Sequence, residues 1–464
     1  MSEPLVPGHH RFCAPASACG AASSQKEHRV EPDRHFETVV VGAGVVGACV
    51  AYEVSQRGTE VLVVDAGEDV GAGCSWANAG LLSPEHVEPL TTPTNVALGL
   101  RYMLRADSPF HVNPNPGLAP WLLRFAASSG PRRAARLTAL LRQLARDSLT
   151  LHHEYADAGL RTSLRSTGSL DVLLDEKSLE RTRRQTLLPG HRLLDEMEAR
   201  ELEPTLGPLA GALWHPDDAM VESRAFVRAV LGAAREHGAE TWWRAGVRKI
   251  LPHRSGAVLD IGHRTISCNT VVLAAGVGTR RLAADCGVRA PLEPGVGYVV
   301  DVPPTIGPTR PITFKELKVV ATPYPDRLRL SGTMDLGATS GRLDPRRVRA
   351  MVAAAGRGMP SVPTGAPLQV WAGQRPCTPD GVPMLGRSAR VPEIALAAGH
   401  SMWGVILGPI SGRLLAEDLA GDRPGALDGA FAPDRFGPAA TRRVVRRGAR
   451  PVTMAHELAH SLGS

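Results

Sequence analysis

Apolar and polar positions near the start of the chain predict a strand, a helix and a second strand. Residues 38–41 form a β-branched run typical of a buried strand, and residues 42–47 follow it with three glycines. Residues 48–57 have a helical pattern that Gly58 ends, and Val61–Val64 is a second apolar run. This order predicts a βαβ unit with the glycines in its first turn.

The rest of the chain alternates between helical and strand-rich segments. Residues 83–216 are mostly helical in pattern, whereas residues 291–370 are rich in strands. Residues 222–237 predict an amphipathic helix, residues 270–273 a buried strand and residues 409–419 a final helix. Two interleaved units, each assembled from separated pieces, account for this order better than a row of independent domains.

The composition is that of a globular protein. The chain has 464 residues, of which 43% are hydrophobic and 21% charged. It contains no run of roughly 20 apolar residues, and residues 1–37 lack the apolar core of a secretory signal, so we expect a disordered leader and a cytoplasmic protein. Seven cysteines without a Cys-x-x-Cys pair indicate neither a disulfide framework nor a thiolate zinc cluster.

The net charge of +7 raises the question of nucleic-acid binding. Residues 437–464 form a basic tail that holds five arginines and one acidic residue, Glu457, and the rest of the chain is only mildly basic. Aromatic residues make up 4% of the chain, too few for the stacking surfaces of a single-strand binder. We therefore expect no nucleic-acid partner, and at most weak association of the tail with the inner face of a membrane.

The tail also contains a His-Glu-x-x-His pattern, His456 to His460, of the kind found in zinc metalloproteases. On a helix both histidines would face one way, with Glu457 as the base. A catalytic zinc needs a third protein ligand, and the printed sequence stops at Ser464. We therefore expect no protease, and the sequence predicts no metal centre.

The glycine-rich turn of the βαβ unit is a candidate nucleotide-binding motif. Gly42, Gly44 and Gly47 lie between a predicted strand and helix, and Asp65 ends the next strand. Such glycines allow a tight turn and the approach of a pyrophosphate to a helix N-terminus, while the acidic residue holds ribose hydroxyls. NAD and FAD both fit this motif; the delayed third strand, at residues 270–273, favours a flavin fold with an insertion.

Several longer motifs resemble the D-amino acid oxidase superfamily of FAD-dependent amine oxidoreductases, and within it the bacterial D-amino acid dehydrogenase subfamily. The resemblance spans roughly residues 38–436. The stretches that carry it are VVVGAGVVGACVAYEVSQRGTEVLVVD (39–65), CSWANAGLLSP (74–84), LRADSPFHVNPNPGLAPWLLRF (104–125), TVVLAAG (270–276), WAGQRPCTPDGVPMLGR (371–387) and AAGHSMWGVILGP (397–409).

The resemblance implies an α/β (α+β) fold. A Rossmann-like FAD-binding domain would comprise residues 38–85, 217–290 and 371–436, interleaved with a substrate domain of mixed sheet and helices at residues 86–216 and 291–370. The implied cofactor is noncovalent FAD. The implied cofactor-binding residues are Gly42, Ala43, Gly44, Val45, Val46, Gly47, Asp65, Ser75, Asn78, Ala79, Gly80, Val247, Ala275, Gly276, Gly399, His400 and Gly404.

Two residues are candidates for the substrate side. Arg375 lies in a stretch that resembles the family's carboxylate-binding segment, and the planar guanidinium suits a bidentate carboxylate. Tyr298 matches a tyrosine common in the dehydrogenase subfamily and would either cap the pocket or lie in the core. Residues 401–403 depart from related oxidases, which carry an arginine there, so we expect a more apolar pocket that disfavours glycine-like substrates.

The resemblance implies oxidative deamination of a D-amino acid, or of a related secondary amine, to a 2-oxo acid. A hydride would pass from the substrate Cα to flavin N5, with a quinone, another carrier or oxygen as the final electron acceptor. One alternative is an oxygen-using oxidase of the glycine, sarcosine or hydroxyproline type. A more remote one is a flavoprotein without enzymatic activity. Cys377 is expected to be a small buried thiol rather than a flavin linkage.

Overall fold

The computed structural model describes most of the chain between residues 32 and 437. The described residues are 32–71, 73–102, 110–113, 116–185, 187–304, 307–337, 343–363, 365–422, 427 and 429–437. Most of the predicted leader, and the basic tail with its His-Glu-x-x-His pattern, lie outside the described residues.

The elements alternate along the chain as the sequence predicts in outline. The strands are β1 Arg34–Val41, β2 Val61–Val64, β3 Leu81–Leu82, β4 Phe110–Val112, β5 Ser169–Leu173, β6 Arg192–Leu194, β7 Gly211–His215, β8 Ala219–Met220, β9 Glu240–Trp242, β10 Lys249–His253, β11 Gly256–Asp260, β12 Thr265–Leu273, β13 Glu293–Val302, β14 Ile312–Phe314, β15 Val319–Tyr324, β16 Arg327–Leu336, β17 Gln369–Cys377, β18 Met384–Arg387 and β19 Ile394–Ala398. The α-helices are α1 Val45–Ser55, α2 Pro93–Tyr102, α3 Ala119–Ala127, α4 Pro131–Asp157, α5 Glu176–Arg183, α6 Glu196–Leu202, α7 Ser223–Glu236, α8 Thr279–Asp285, α9 Pro345–Gly358 and α10 Gly404–Ala420.

The first sheet contains five parallel strands in the order β19, β12, β1, β2 and β9, extended by β10, β11 and β18. Its valine-rich strands are buried on both faces, as parallel sheets require. Val39 and Val40 show the alternation, because Val39 belongs to the apolar cluster on one face and Val40 to the cluster on the other.

Helices α1, α4 and α10 pack together on one face of this sheet. Gly408 and Gly412 of α10 face Cys49 of α1, and a Cβ at Gly412 would lie 2.6 Å from the Cys49 carbonyl oxygen. A buried carboxylate completes the packing, since Glu53 of α1 accepts hydrogen bonds from Tyr155 of α4 (2.8 Å) and Arg413 of α10 (2.7 Å). Small residues therefore set the distance between α1 and α10.

The second sheet has nine strands. Its main path is β17, β13, β16, β15, β14, β5, β7 and β6, and β4 pairs with β16. Pairing is antiparallel throughout, except that β5 is parallel to β14 and β4 is parallel to β16. Helix α9 covers one face over a cluster that includes Phe314, Met351 and Ala355. Strand β17 leaves this sheet toward residues 399–401, where Cys377 forms a bridge with His400.

Three sequence expectations need correction. The predicted leader ends too late, because β1 begins at Arg34, whose guanidinium pairs with Glu240 of β9 (2.6 Å). Residues 83–216 are not only helical, because β5, β6 and β7 join the second sheet as strands of three to five residues, too short for a clear period of two. Residues 371–377, assigned to the cofactor domain, pair with β13 instead.

Within the described part of the chain, no helix combines the length and the apolar character needed to cross a membrane.

Substituting Gly412 with alanine should destabilise the protein. The new methyl group would contact the backbone of α1, and overpacking of this kind costs about 1–3 kcal/mol. Gly232, in the middle of α7, is the matched control, because a Cβ there meets no atom within 4 Å. Urea unfolding should show a lower free energy of unfolding for Gly412→Ala and a gain of up to about 1 kcal/mol for Gly232→Ala. Equal effects would contradict the packing described here.

Candidate functional site

A cleft of about 650 Å³ lies where the parallel strands of the first sheet end. Its walls come from the segments that follow β1, β2, β12 and β19, with β17 of the second sheet along one side. The carboxyl ends of parallel strands are the usual ligand site of such sheets, because the loops there converge at one edge. The topology therefore brings residues far apart in sequence to one place.

The turn between β1 and α1 forms one end of the cleft. Gly42 has a φ of +111°, and a Cβ there would lie 2.6 Å from the Ala274 carbonyl oxygen at the end of β12. A Cβ at Gly47 would collide with the Gly42 carbonyl oxygen. Glycine is therefore required at both positions, and the N-terminus of α1 is directed into the cleft with its amides and positive dipole end.

Two polar side chains hold this turn. The Asp65 carboxylate accepts hydrogen bonds from the backbone N–H groups of Ala43 and Gly67, both at 2.7 Å. The Ser75 hydroxyl accepts one from the N–H of Val45, in the first turn of α1 (3.0 Å). Both side chains also line the cleft, so they fix the turn and remain in reach of a ligand.

The segment between Asn78 and Gly80 is held by residues of the second sheet. Arg329 of β16 makes two hydrogen bonds with Asp301, at 2.8 and 2.9 Å, and donates a third to the Asn78 carbonyl at 3.3 Å. The Tyr324 hydroxyl donates to the Val221 carbonyl (3.0 Å), beside the Ala79 carbonyl. A buried ion pair in one sheet thus positions a loop of the other.

The other end of the cleft is formed by Gly399 to Gly404, which lead into α10. His400 is 3% exposed, and its Nε2 is hydrogen-bonded to the Ser411 hydroxyl at 2.8 Å. Burial lowers the pKa of His400 to about 4, so the imidazole is neutral at pH 7. The N-terminus of α10, like that of α1, therefore presents a positive dipole end to the cleft without a formal charge from His400.

The first turns of α10 depend on two buried residues of α4. Pro409 has no N–H, so the Val405 carbonyl lacks its usual helical donor. The Nε2 of His152 donates to that carbonyl at 3.1 Å, and the Ile410 N–H donates to the Ser148 hydroxyl at 3.2 Å. Burial lowers the pKa of His152 to about 4. Helix α4 thus supports the end of α10 that faces the cleft.

Arg375 lies in β17, beside the cleft. Its Nη1 donates to the Thr333 carbonyl at 2.7 Å, and its guanidinium covers Gly297 of β13, where no side chain would fit. Burial lowers its pKa from the usual value. Among the described residues no carboxylate lies within salt-bridge distance of it, which leaves a largely buried positive charge without an anionic partner.

Tyr298, the second candidate on the substrate side, lies elsewhere. It is 3% exposed and belongs to the apolar cluster under α9, together with Val296, Val300 and Met351. It alternates along β13 with Gly295, which faces Met334 and Cys377, and with Gly297, which faces the Arg375 guanidinium. The structure therefore places Tyr298 in the core and gives a capping role no geometric support.

Most of the predicted cofactor residues meet in the cleft. Those that line it are Gly42, Gly44, Val45, Val46, Asp65, Ser75, Asn78, Val247, Ala275, Gly276, His400 and Gly404. Five others are neighbours of these residues in the chain but are not among the lining residues: Ala43, Gly47, Ala79, Gly80 and Gly399.

Further lining residues went unpredicted, among them Cys74, Gly246, Arg281, Trp371, Gln374 and Ser401. Cys74, Trp371, Gln374 and Ser401 lie inside the motifs quoted above, so those motifs were a signal for them. Arg281 had no such signal; it donates to the backbone carbonyls of Val247 and Arg248 at 2.8 and 2.7 Å.

Comparison with known proteins identifies the family. The family described as DAO, FAD dependent oxidoreductase, matches residues 37–418. The chain belongs to this family.

Curated relatives agree with the assignment. D-amino acid dehydrogenase of Paramagnetospirillum magneticum is 34% identical over 420 residues, which cover 86% of this chain and 99% of the relative. D-amino acid dehydrogenase 2 of Pseudomonas aeruginosa is 32% identical over 405 residues, 84% of this chain and 96% of the relative.

Solved structures share the fold. Glycine oxidase from Geobacillus kaustophilus is 26% identical with a TM-score of 0.64, covering 86% of this chain and 99% of that one. L-proline dehydrogenase from P. horikoshii is 20% identical with a TM-score of 0.67, and the match covers 87% of this chain and 98% of that one. At this identity the likeness shows the fold alone.

The protein is therefore an FAD-dependent oxidoreductase, and the cleft fits this cofactor. The side-chain-free turn at Gly42 and the N-terminus of α1 suit a diphosphate, and Asp65 lies at the end of β2, where it can reach ribose hydroxyls. The N-terminus of α10 suits the negative charge that a reduced flavin ring carries.

Stability should fall in mild acid. The buried imidazoles of His152 and His400, with pKa values of about 4 against 6.5, take up protons more readily when the chain unfolds. Their contribution to the free energy of unfolding is full above about pH 6.5 and is lost as the pH falls toward about 4. Each histidine should lower the free energy of unfolding by about 2 kcal/mol between about pH 7 and pH 5.

Urea unfolding of the parent and of His152→Gln at these two pH values measures the effect. The variant should lose about 2 kcal/mol less than the parent. Ser148→Ala, which removes a hydrogen bond of the same α4–α10 contact but no titrating group, should lower stability equally at both pH values. An unchanged pH dependence in His152→Gln would show that this imidazole does not account for the acid sensitivity.

Proposed function

We propose that this oxidoreductase deaminates D-amino acids oxidatively, with Arg375 as the anchor for the substrate carboxylate. The observation that carries the proposal is the buried guanidinium beside the cleft, which has a carbonyl partner at Thr333 but no carboxylate within salt-bridge distance in the described part of the chain. A buried charge of this kind is costly unless an anion pairs with it, and a planar carboxylate pairs with two of its N–H groups at once. The names of the curated relatives support the same substrate class.

The chain's own residues would bind and orient the substrate. When FAD is bound, the two-electron oxidation of the substrate Cα–N bond to an imine would be the chemistry that it supplies, and we propose that the electrons leave Cα as a hydride. Arg375 fixes the carboxylate and thereby the direction of the Cα–H bond. The neutral His400 and the N-terminus of α10 provide a polar but uncharged surface at the ring end of the cleft. The resulting imine hydrolyses to a 2-oxo acid and ammonia.

The surroundings of Arg375 favour a substrate with an apolar side chain. Met334 lies against the guanidinium, with its sulfur 3.8 Å from Nη1, and it belongs to an apolar cluster with Trp121, Phe125 and Met402. Met402 belongs to residues 401–403, which occupy the place of the arginine that related oxidases carry after the Gly-His pair. Glycine has no side chain that could pack against Met334, so we place glycine oxidase activity second.

The electron acceptor remains a prediction. A quinone or another carrier would make the protein a dehydrogenase, and oxygen would make it an oxidase. Oxygen consumption, measured beside reduction of an artificial dye with the same amino acid, separates these two activities. The arginine-rich tail lies outside the described residues, and its association with acidic lipid stays a prediction as well.

We expect the FAD to be noncovalent. Cys74 lines the cleft, but burial raises its pKa, and burial raises the pKa of Cys377 to about 11, so neither thiol is readily converted to the reactive thiolate. Acid precipitation should release all the yellow colour into the supernatant. Colour that stays with the pellet, and disappears from it in the Cys74→Ser variant, would show a linkage instead.

Replacing Arg375 should remove amino-acid turnover and leave FAD bound. A charge-assisted hydrogen bond contributes about 1.5–3 kcal/mol, so loss of a bidentate pair should lower kcat/KM at least about a hundredfold in Arg375→Ala. Arg375→Lys should also be impaired, because lysine cannot provide two parallel donors. Steady-state kinetics with an amino acid, and with the matching amine that lacks the carboxylate, measure the effect; the variant should discriminate little between the two.

Arg281→Ala is the matched control for Arg375→Ala. Arg281 lies at the Val247 end of the cleft, so its loss should weaken FAD binding and leave KM for the amino acid unchanged at saturating FAD. Near-parent activity of Arg375→Ala with FAD fully bound would show that the carboxylate is held by another residue.

A further inference from the structure

Three titratable side chains meet between the loop that follows β3 and the second sheet, away from the residues that line the cleft. His86 ends a short 3-10 helix, Pro84–His86, while Asp171 comes from β5 and His215 from the neighbouring β7. Asp171 and His215 are each 2% exposed, and the His86 side chain is 12% exposed. The proposed function uses none of them.

Their polar atoms converge. Nε2 of His86 lies 2.8 Å from Asp171 Oδ1, and Nε2 of His215 lies 3.2 Å from Asp171 Oδ2. The two imidazole nitrogens and one carboxylate oxygen lie within 4.8 Å of one another. Strand pairing brings Asp171 and His215 together, because β5 and β7 are adjacent and antiparallel, whereas His86 reaches them from a separate segment.

The contacts do not form a satisfied hydrogen-bond network. His86 Nε2 and Asp171 Oδ1 are close but badly aligned, and neither has a hydrogen-bond partner of acceptable geometry. An aligned N–H donor would satisfy both atoms, as His215 Nε2 does for Oδ2. For a cation to bind, His215 Nε2 would exchange its hydrogen bond to Oδ2 for a lone pair directed at the ion, beside the unpartnered His86 Nε2 and Asp171 Oδ1.

We propose that His86, Asp171 and His215 form a divalent metal site, with zinc as the ion that the ligands suit best. Two imidazoles and a carboxylate, with water as a fourth ligand, are a common zinc set. Tetrahedral zinc with bonds of about 2.0–2.1 Å holds neighbouring ligand atoms about 3.3–3.4 Å apart. The three candidate ligand atoms lie within 4.8 Å of one another, so their side chains must move closer together on binding.

Lys315 is the present competitor for this position. Its Nζ lies 2.9 Å from Asp171 Oδ2, and its side chain is 43% exposed. An ammonium on a flexible, solvent-exposed chain can leave the carboxylate when a divalent ion binds. The ammonium group of Lys315 therefore occupies a position that the ion would take. Removing this ammonium group should strengthen metal binding.

The site would connect the cofactor loop to the second sheet. Chain residues Asn78 to Gly80 lead through β3 directly to His86, whereas Asp171 and His215 are fixed in paired strands. A metal that joins the two parts would restrain the loop that lines the cleft. We infer that the ion would act on the position of this loop rather than on the substrate, since cleft residues are not among its ligands.

Metal analysis of the FAD-loaded full-length protein tests the proposal. After chelation and dialysis, a chromophoric competitor should report one zinc bound per chain at the cluster. His215→Ala and Asp171→Asn should each lower the affinity for zinc by more than about a hundredfold, because loss of a residue that only supports a ligand already lowers metal affinity about 10- to 100-fold. Lys315→Met should bind zinc more tightly than the parent. Cobalt(II) absorption provides a second readout of the ligand set that does not depend on activity.

A matched control separates this site from the tail histidines. The double variant His456→Ala, His460→Ala should retain the zinc of the cluster. Zinc should also raise Tm in the parent and in the tail variant but not in His215→Ala, provided that His215→Ala retains its FAD and its circular dichroism spectrum. Zinc that is lost with the tail histidines and kept by His215→Ala, or a parent that binds no zinc, would overturn the proposal.

Discussion

The close approach of backbone at the β1–α1 turn is the constraint on which the rest of the site depends. Gly42 touches the end of β12, and Gly47 passes over the Gly42 carbonyl, so no side chain fits at either position. This contact places the N-terminus of α1 at the carboxyl ends of the parallel strands β1 and β12. The second contact without side chains, Gly412 against Cys49, then places α10 beside α1. Two helix N-termini reach the same cleft as a result.

Residues of the second sheet hold loops of the first sheet in position. Arg329, paired with Asp301 inside that sheet, donates to the Asn78 carbonyl, and Tyr324 contacts the same loop. Strand β17 carries Arg375 and ends in a bridge to His400. The second sheet therefore connects Arg375, the proposed substrate anchor, with the loop at Asn78 and the start of α10 through hydrogen bonds.

Sequence patterns predicted those parts of the fold that local chemistry decides. The βαβ unit, Asp65 and the glycines follow from periodicity and turn geometry, and the longer motifs identified most of the cleft. The short strands β5 to β7 were missed because three to five residues carry no clear period, and their burial comes from tertiary pairing. Arg281 and the cluster around Asp171 were also missed, because the residues that they contact are distant in sequence. For Tyr298 the family position left both the pocket and the core open, and strand alternation places it in the core.

The most direct test of the central claim is anaerobic reduction of the bound flavin by a panel of candidate substrates. The account predicts that D-amino acids with apolar side chains bleach the yellow protein, and that their L-enantiomers, glycine and the matching amines without a carboxylate do so far more slowly. Bleaching by the amines as fast as by the amino acids, or none with any D-amino acid, would contradict it.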